Sequence, residues 1–484
     1  MGDYRENNYD VVIIGAGVGG LVCGCFLAKS GFKVMIVESN KNPGGCCVSF
    51  RRKGFVFDAG VFSLGDCDDG GKLGQIIEML SLKEFVNLIQ LDPTEVIVTP
   101  DVNVVVSKSF HSTMSAFQRC FPSQANKIEK FLEFLQESSP VRLLAAFKDY
   151  SFEELLDSYF SDDQLKLVFY TIMATFGQPS KNISAVTAAV VLKEFIVNGG
   201  YYPEGGVQKF AEGLVSVFEK MGGVIKYSCT ATKILVKDNK VKGVFVNKET
   251  LINADIVISN CDASQTFLKL IDCEHLDNNF IEIIQNRIPS ISSFMVFLGV
   301  GHKFNELKYK CKYWCALNSN IISGGEGDIK NDWSRIGDHL IVSFPSLYDS
   351  SLSPENKESV CILVSVPFGN KEFWIKNKAE IAEQVISKTE KIFPGLSKDI
   401  EIKEIATPLT YVRFTQNRNG AAYGWDGTRA QLTENVLSYK TPIKGLYVVG
   451  HWTKDGFGVS RAAFSGYNVS RLVSASYKKD LTVN

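Results

Sequence analysis

Near the start of the chain, Gly15-Ala16-Gly17-Val18-Gly19-Gly20 follows the β-branched run YDVVII (Tyr9 to Ile14) and precedes the helical stretch LVCGCFLAKSG. In that context the glycines differ in what they permit. Gly15 permits a tight turn off a strand, Gly17 lets the backbone approach a pyrophosphate, and Gly20 allows close helix packing. Val18 and Gly19 open a helix whose first N–H groups face the phosphates. A second strand, Lys33 to Val37, ends at Glu38, with Ser39 beside it. A carboxylate there can accept hydrogen bonds from ribose hydroxyls, so the unit predicts a dinucleotide site, for which NAD and FAD both remain open.

The elements that must hold such a site follow from the rest of the pattern. From about Asp66 to Val106 helix (LGQIIEML) alternates with short strands (EVIVT, NVVVS). Phe110 to Val197 reads as almost wholly helical, a separate insertion. A turn at Gly199 to Gly206 leads to the helix VQKFAEGLVSVFEKMG, the strands VIKYS and KILVK, the hairpin KVKGVFV and the buried strand Ala254 to Asn260. SFMVFLGV, LIVSFPS and VCILVSVP predict a second sheet, whereas polar, Gly-rich Glu306 to Asp338 reads as surface loops. A helix over about Lys371 to Ile392 precedes the final segment from Thr407.

Composition narrows the class. At 484 residues, 45% apolar and 22% charged, the chain has the content of an ordinary globular protein. Lys and Arg total 52 against 53 Asp and Glu, so no global positive field points to nucleic acid. The 12 Cys and the opening MGDYRENNYD, which lacks an apolar signal core, predict a reducing, cytoplasmic setting. Glu6 stands where N-myristoylation wants Ser or Thr. The longest apolar candidate, Ser184 to Val197, is interrupted by Lys193 and Glu194, so no membrane span is predicted. Cys46-Cys47 is unsuited to a bridge, and Cys311, Cys315 and His302 lack a fourth metal ligand. No metal site is assigned.

Beyond Glu38, the segment ESNKNPGGCCVSFRRKGFVFDAGVFSLG resembles the FAD-binding start of the phytoene desaturase, carotenoid isomerase and retinol saturase family, within the amine-oxidase-like flavoproteins. The resemblance recurs in YYPEGGVQKFAEGL with GGVIKYSCTATKILVKDNKVKGV, in TPLTYVRFTQNRNGAAYGW (Thr407 to Trp425), and in GLYVVGHWTKDGFGVSRAAFSGYNVSRLV from Gly445. It implies an α/β fold: a discontinuous Rossmann-like FAD domain over 1–85, 200–265 and 405–484, with a mixed α+β substrate domain over 86–199 and 266–404 that includes the helical insertion. It also implies FAD contacts from Gly44, Gly45, Cys46 and Ala231, and from Gly450, His451, Gly458 and Val459. At the last segment a strand, a glycine loop and a helix follow in order, and a helix N-terminus there would stabilise negative charge on a reduced flavin. One residue departs from the pattern: many flavoproteins carry an acid after the glycine matching Gly450, and this chain has His451.

The reaction implied is FAD-dependent chemistry on carbon–carbon bonds of an apolar isoprenoid or polyene substrate: desaturation, saturation or isomerisation. Thr407 to Trp425 leans towards the isomerase and saturase branch. Tyr411, Arg413, Tyr423 and Trp452 are nominated near the ring or substrate, and His451 as either a catalytic acid or a structural histidine. The alternatives are an amine oxidase, an oxidase of carrier-bound acyl chains, and a non-catalytic prenyl-binding protein. A lipophilic substrate implies at most peripheral membrane contact, with Phe117, Phe121, Phe131 and Phe134 as candidate residues beside Arg119, Lys127 and Lys130. The sequence leaves the oligomeric state open.

Overall fold

The computed structural model describes residues 8–319, 333–433 and 437–477. Residues 1–7 and 478–484, within the expected FAD domain, and 320–332, within the expected surface loop, lie outside the described residues. In chain order the strands are β1 (Asn8–Ile14), β2 (Val34–Val37), β3 (Ser49–Arg52), β4 (Phe55–Asp58), β5 (Leu88–Gln90), β6 (Glu95–Val98), β7 (Asn103–Val106), β8 (Tyr201–Pro203) and β9 (Val224–Lys226). There follow β10 (Ala231–Lys237), β11 (Lys240–Val246), β12 (Thr250–Ser259), β13 (Ser292–Val300), β14 (Lys312–Ala316), β15 (His339–Ser343), β16 (Glu358–Val366), β17 (Ile400–Ala406) and β18 (Leu446–Val448).

One sheet runs β10-β11-β12-β1-β2-β9, with β18 also paired to β12. β1 lies between β12 and β2, parallel to both, which is why VVII is apolar on both faces. One face packs on α1 (Val18–Lys29), the helix Gln208–Lys220 and the C-terminal helix Val459–Ser476. On the other, Val12, Ile14, Val257 and Val448 meet Phe267 and Trp452.

The second sheet runs β17-β13-β16-β15-β14-β6-β7. β13 and β16 are buried throughout because both faces are covered. Phe294, Val296 and Leu298 pack towards Trp374 of the helix Lys371–Glu390, while Met295 and Phe297 face the helical insertion. That insertion is helical as its sequence predicts, from Phe110–Cys120 to Ala185–Leu192. Its centre is an aromatic cluster in which Phe169 stacks on Phe117 at 5.3 Å and Phe160 at 5.5 Å and meets Phe131 edge-on at 5.4 Å. Full burial of each Phe contributes about 1.5–3 kcal/mol.

Two expectations are corrected. Glu306 to Asp338 is not all surface loop: β14 lies inside it, between β15 and parallel β6. Its pattern is broken by Lys312, which is buried because it pairs across the register with Glu95 at 2.8 Å. Cys315 belongs to this strand rather than to a loop, Cys311 lies in the bend that directly precedes it, and both are buried. The second correction concerns the proposed membrane face, since Phe117, Phe121 and Phe131 are core residues and Phe134 is partly buried against them.

Candidate cofactor and active site

A single cavity brings together most of the residues singled out in the sequence. Gly15, Gly17, Val18, Gly19, Glu38, Ser39, Gly44, Gly45, Cys46 and Ala231 line it from the N-terminal half, and Tyr411, Tyr423, Gly450, His451, Gly458 and Val459 from the C-terminal half. Gly20, Arg413 and Trp452 do not line it.

The glycine turn explains how the outer part forms. Gly15 takes φ +97° as the chain leaves β1, and α1 then starts at Gly17 with neither a capping side chain nor an acid in its first turn. The first N–H groups of a helix have no intrahelical acceptor, so this end presents donors to the cavity. Gly20 acts from behind, where a Cβ would stand 2.3 Å from the Gly15 carbonyl. Glu38 ties the turn to the end of β2: its Oε2 accepts from the Ala16 N–H at 2.7 Å, and its Oε1 from the Asn40 backbone N–H at 2.8 Å and side-chain amide at 2.9 Å.

The C-terminal helix repeats this arrangement. It starts at Gly458, φ +101°, again without a capping side chain. Its backbone crosses that of α1 closely, since a Cβ on Gly466 would fall 2.3 Å from the Gly19 carbonyl. Two uncapped helix N-termini therefore open on the same cavity. Between them stands Asn260, just past β12, whose amide donates to the Gly15 carbonyl at 3.4 Å. Side chains at Gly17, Gly19 or Gly450 would approach its amide group to 2.7, 2.9 and 2.6 Å. In the sequence Asn260 reads only as the end of a strand. A polar residue closing an apolar run is the signal that marks it.

The inner end is built from side chains of remote segments. Tyr411 lies on the helix Pro408–Thr415 and donates its hydroxyl to Met295 Sδ at 3.2 Å. The Tyr423 hydroxyl lies 2.9 Å from Thr175 Oγ1, in the turn that follows the helix Asp163–Met173 of the helical insertion. Burial pushes both phenols above the usual tyrosine range, so they stand neutral as donors. Burial also pushes the Cys46 thiol up to about 11. The His451 imidazole is pushed down to about 4 by burial, which leaves it uncharged at neutral pH. A permanently protonated role for His451 does not fit. Among the described lining residues Glu38 is the only carboxylate, so the inner end is lined by uncharged groups.

Arg413 is exposed on the outer surface, its guanidinium 5.3 Å from the Phe414 ring centroid. Trp452 is buried against Trp425, whose indole N–H donates to the Trp452 carbonyl at 2.9 Å. The residues present suit an extended dianionic dinucleotide: glycine backbones and two helix ends for the phosphates, and a carboxylate at one extremity.

Comparisons with known proteins agree with this geometry. The chain is 27% identical to the carrot (Daucus carota) prolycopene isomerase, chloroplastic, over 97% of this chain and 81% of that protein. It is 25% identical to the zebrafish (Danio rerio) all-trans-retinol 13,14-reductase, over 91% and 82% of the two. The fold is that of an oxidoreductase from Methanosarcina mazei, with a TM-score of 0.70 and 20% identity over 95% of this chain and 99% of the other. A family profile described as "Flavin containing amine oxidoreductase" matches residues 18–474. The chain belongs to the flavin containing amine oxidoreductase family and is a flavin-dependent oxidoreductase.

Proposed function

We propose that the protein binds FAD and acts on a carbon–carbon bond of an apolar polyene or isoprenoid substrate. The observation that carries this reading is the inner end of the cavity, which has an uncharged lining backed by an aromatic interior. Tyr423 packs 5.1 Å from Phe176 and 5.9 Å from Phe457, next to the apolar core of the helical insertion. A protonated amine would find no carboxylate among the lining residues there, whereas a hydrocarbon chain loses nothing on entering. Relatives named for isomerising prolycopene and for reducing retinol at its 13,14 bond support the same substrate class.

In this reading residues 1–85, 200–265 and 405–484 hold the cofactor, and the remainder shapes the substrate chamber. The diphosphate lies at Gly15 to Gly20 and the adenosine ribose on Glu38. Bound there, FAD would supply or accept the reducing equivalents. The protein's part is to exclude water, to orient the chain against Tyr411 and Tyr423, and to offer a neutral phenolic proton. Tyr423 is the better placed donor because Thr175 fixes its hydroxyl.

A polyene has to be withdrawn from a bilayer. No helix among the described residues is long and apolar enough to cross one. On the helix Pro140–Phe147, Val141 is 77% exposed and Leu144 50%, with Lys148 following, and this face is the proposed point of peripheral contact. Liposome co-sedimentation of Val141→Ser and Leu144→Ser variants tests it.

The reading as a whole is tested by photoreducing the purified protein without oxygen and offering polyenes and amines. Flavin reoxidation by a polyene, or its isomerisation without net turnover, supports the proposal. Reduction of the oxidised flavin by an amine, with no response to any polyene, overturns it. Purified protein without a yellow chromophore that takes up no added FAD would point to the non-catalytic binder.

A further inference from the structure

At the outer end of the cavity one residue has no place in the chemistry above. Phe414 is 54% exposed, yet it lines the cavity together with Glu38, Asn40, Cys229 and Thr230. It stands in the last turn of the helix Pro408–Thr415, far along the chain from the dinucleotide turn.

Two contacts fix its position. The Asn40 side-chain amide donates to the Phe414 carbonyl at 2.9 Å and to Glu38 Oε1 at 2.9 Å, so a single side chain bridges Phe414 to the carboxylate assigned to the ribose. Past the helix end, Gln416 closes the turn at φ +57° and accepts from the Gln265 side chain at 2.9 Å. Arg413 covers the aromatic ring from one side. The cavity is also lined by the backbone entering β10, where the Cys229 N–H donates to the Glu38 carbonyl at 2.8 Å. Phe414 and the Cys229–Thr230 stretch thus both border the cavity beside Glu38. An aromatic residue on that border suits a flat heteroaromatic ring, because stacking needs a π face and places no demand on hydrogen-bond pattern.

We infer that Phe414 stacks on the adenine of bound FAD and, with Arg413 behind it, clamps the outer end of the cofactor. The inference rests on the FAD reading proposed above. Arg413, nominated for chemistry from its place in the sequence, is here a positioning residue that holds the clamp and acts on the cofactor through Phe414.

FMN carries the same ring system and a phosphate but no adenine, so it separates the clamp from the rest of the site. The full-length protein is compared with Phe414→Ala and Phe414→Trp variants for FAD affinity, from flavin released on dilution, and for FMN affinity, by titration after dialysis. Phe414→Ala is expected to weaken FAD binding about tenfold, within the range of a lost base–aromatic stack. FMN affinity is expected to stay within about twofold, since no stack is lost. Phe414→Trp should hold FAD as tightly as the parent. Unchanged FAD affinity in Phe414→Ala overturns the clamp while leaving the cofactor reading intact. So does an equal loss of FAD and FMN affinity. A parent protein that takes up neither flavin overturns the cofactor reading and the clamp with it.

Discussion

The two ends of the cavity are built by different means. The phosphate-facing part of the outer end is made of backbone: glycines, two helix starts and one carboxylate at a strand end. The inner end is made of side chains delivered by segments far apart in sequence: Cys46, Thr175, Tyr411, Tyr423 and His451. Tightly packed glycines tolerate almost no substitution, because a Cβ has nowhere to go. Side-chain sites tolerate folding-neutral changes and lose chemistry instead.

Substitutions at the tightly packed glycines should therefore damage structure and cofactor together. The largest effect is expected of Gly20→Val, whose Cβ would sit 2.3 Å from a backbone carbonyl that cannot swing aside. A cost of about 3 kcal/mol or more is expected, at the upper end for overpacking. Thermal denaturation and flavin content of the purified variant measure it, and a normally stable yellow protein would break the contrast between the two ends.

At the inner end, Tyr423→Phe keeps the ring and its packing on Phe176 while removing the hydroxyl that meets Thr175. Flavin content and melting temperature should hold while turnover falls by about 10²-fold, the low end for loss of a proton donor. Steady-state kinetics with the substrate found in the polyene screen would show it. Unaltered kcat removes Tyr423 from the chemistry.

Glu38→Ala sharpens the outer side. The variant strips the Ala16 and Asn40 N–H groups of their acceptor along with the proposed ribose contact. FAD binding should weaken by about 1–3 kcal/mol, the scale of hydrogen bonds to a charged group. Titration of the full chain with FAD reads this directly.

The smallest expected effect concerns His451. Its folded-state pKa, near 4, lies below the ordinary histidine value of about 6.5. Between those values the unfolded chain binds the proton that the folded chain refuses, so stability falls as pH drops from 6.5 to 4 and is unaffected by this group above 6.5. A His451→Gln variant should flatten that part of the melting-temperature profile. His339, pushed down to about 4 by burial as well, stays in place and contributes its own decline. Above about pH 6.5 the variant and parent should run parallel.

The same contrast explains what can be read from the sequence. The turn at Gly15 to Gly20, the strand-end Glu38 and the glycine loop before Val459 are legible because local chain geometry dictates residue type within a few positions. The partners of Tyr411 and Tyr423 are not, since Met295 and Thr175 reach them only through tertiary packing. Arg413 stands out for its neighbours in a motif, yet its helix turns it outward. β14 is hidden because a lysine reads as surface until its buried partner, Glu95, is known. Asn260 is visible as a residue but not as the piece that separates three glycine backbones.

The crossing of Gly466 against Gly19 also bears on how the protein matures. The helix that opens the dinucleotide turn leaves the ribosome hundreds of residues before the helix that completes the same site, so over that interval the nascent chain owns half a binding site. β12 meets the same delay: it can pair with β1 long before β18 arrives at its other edge. Capture of the cofactor consequently waits for the second of these helices, and a cell short of flavin would accumulate protein in which the helix Val459–Ser476 has no ligand to help hold it against α1.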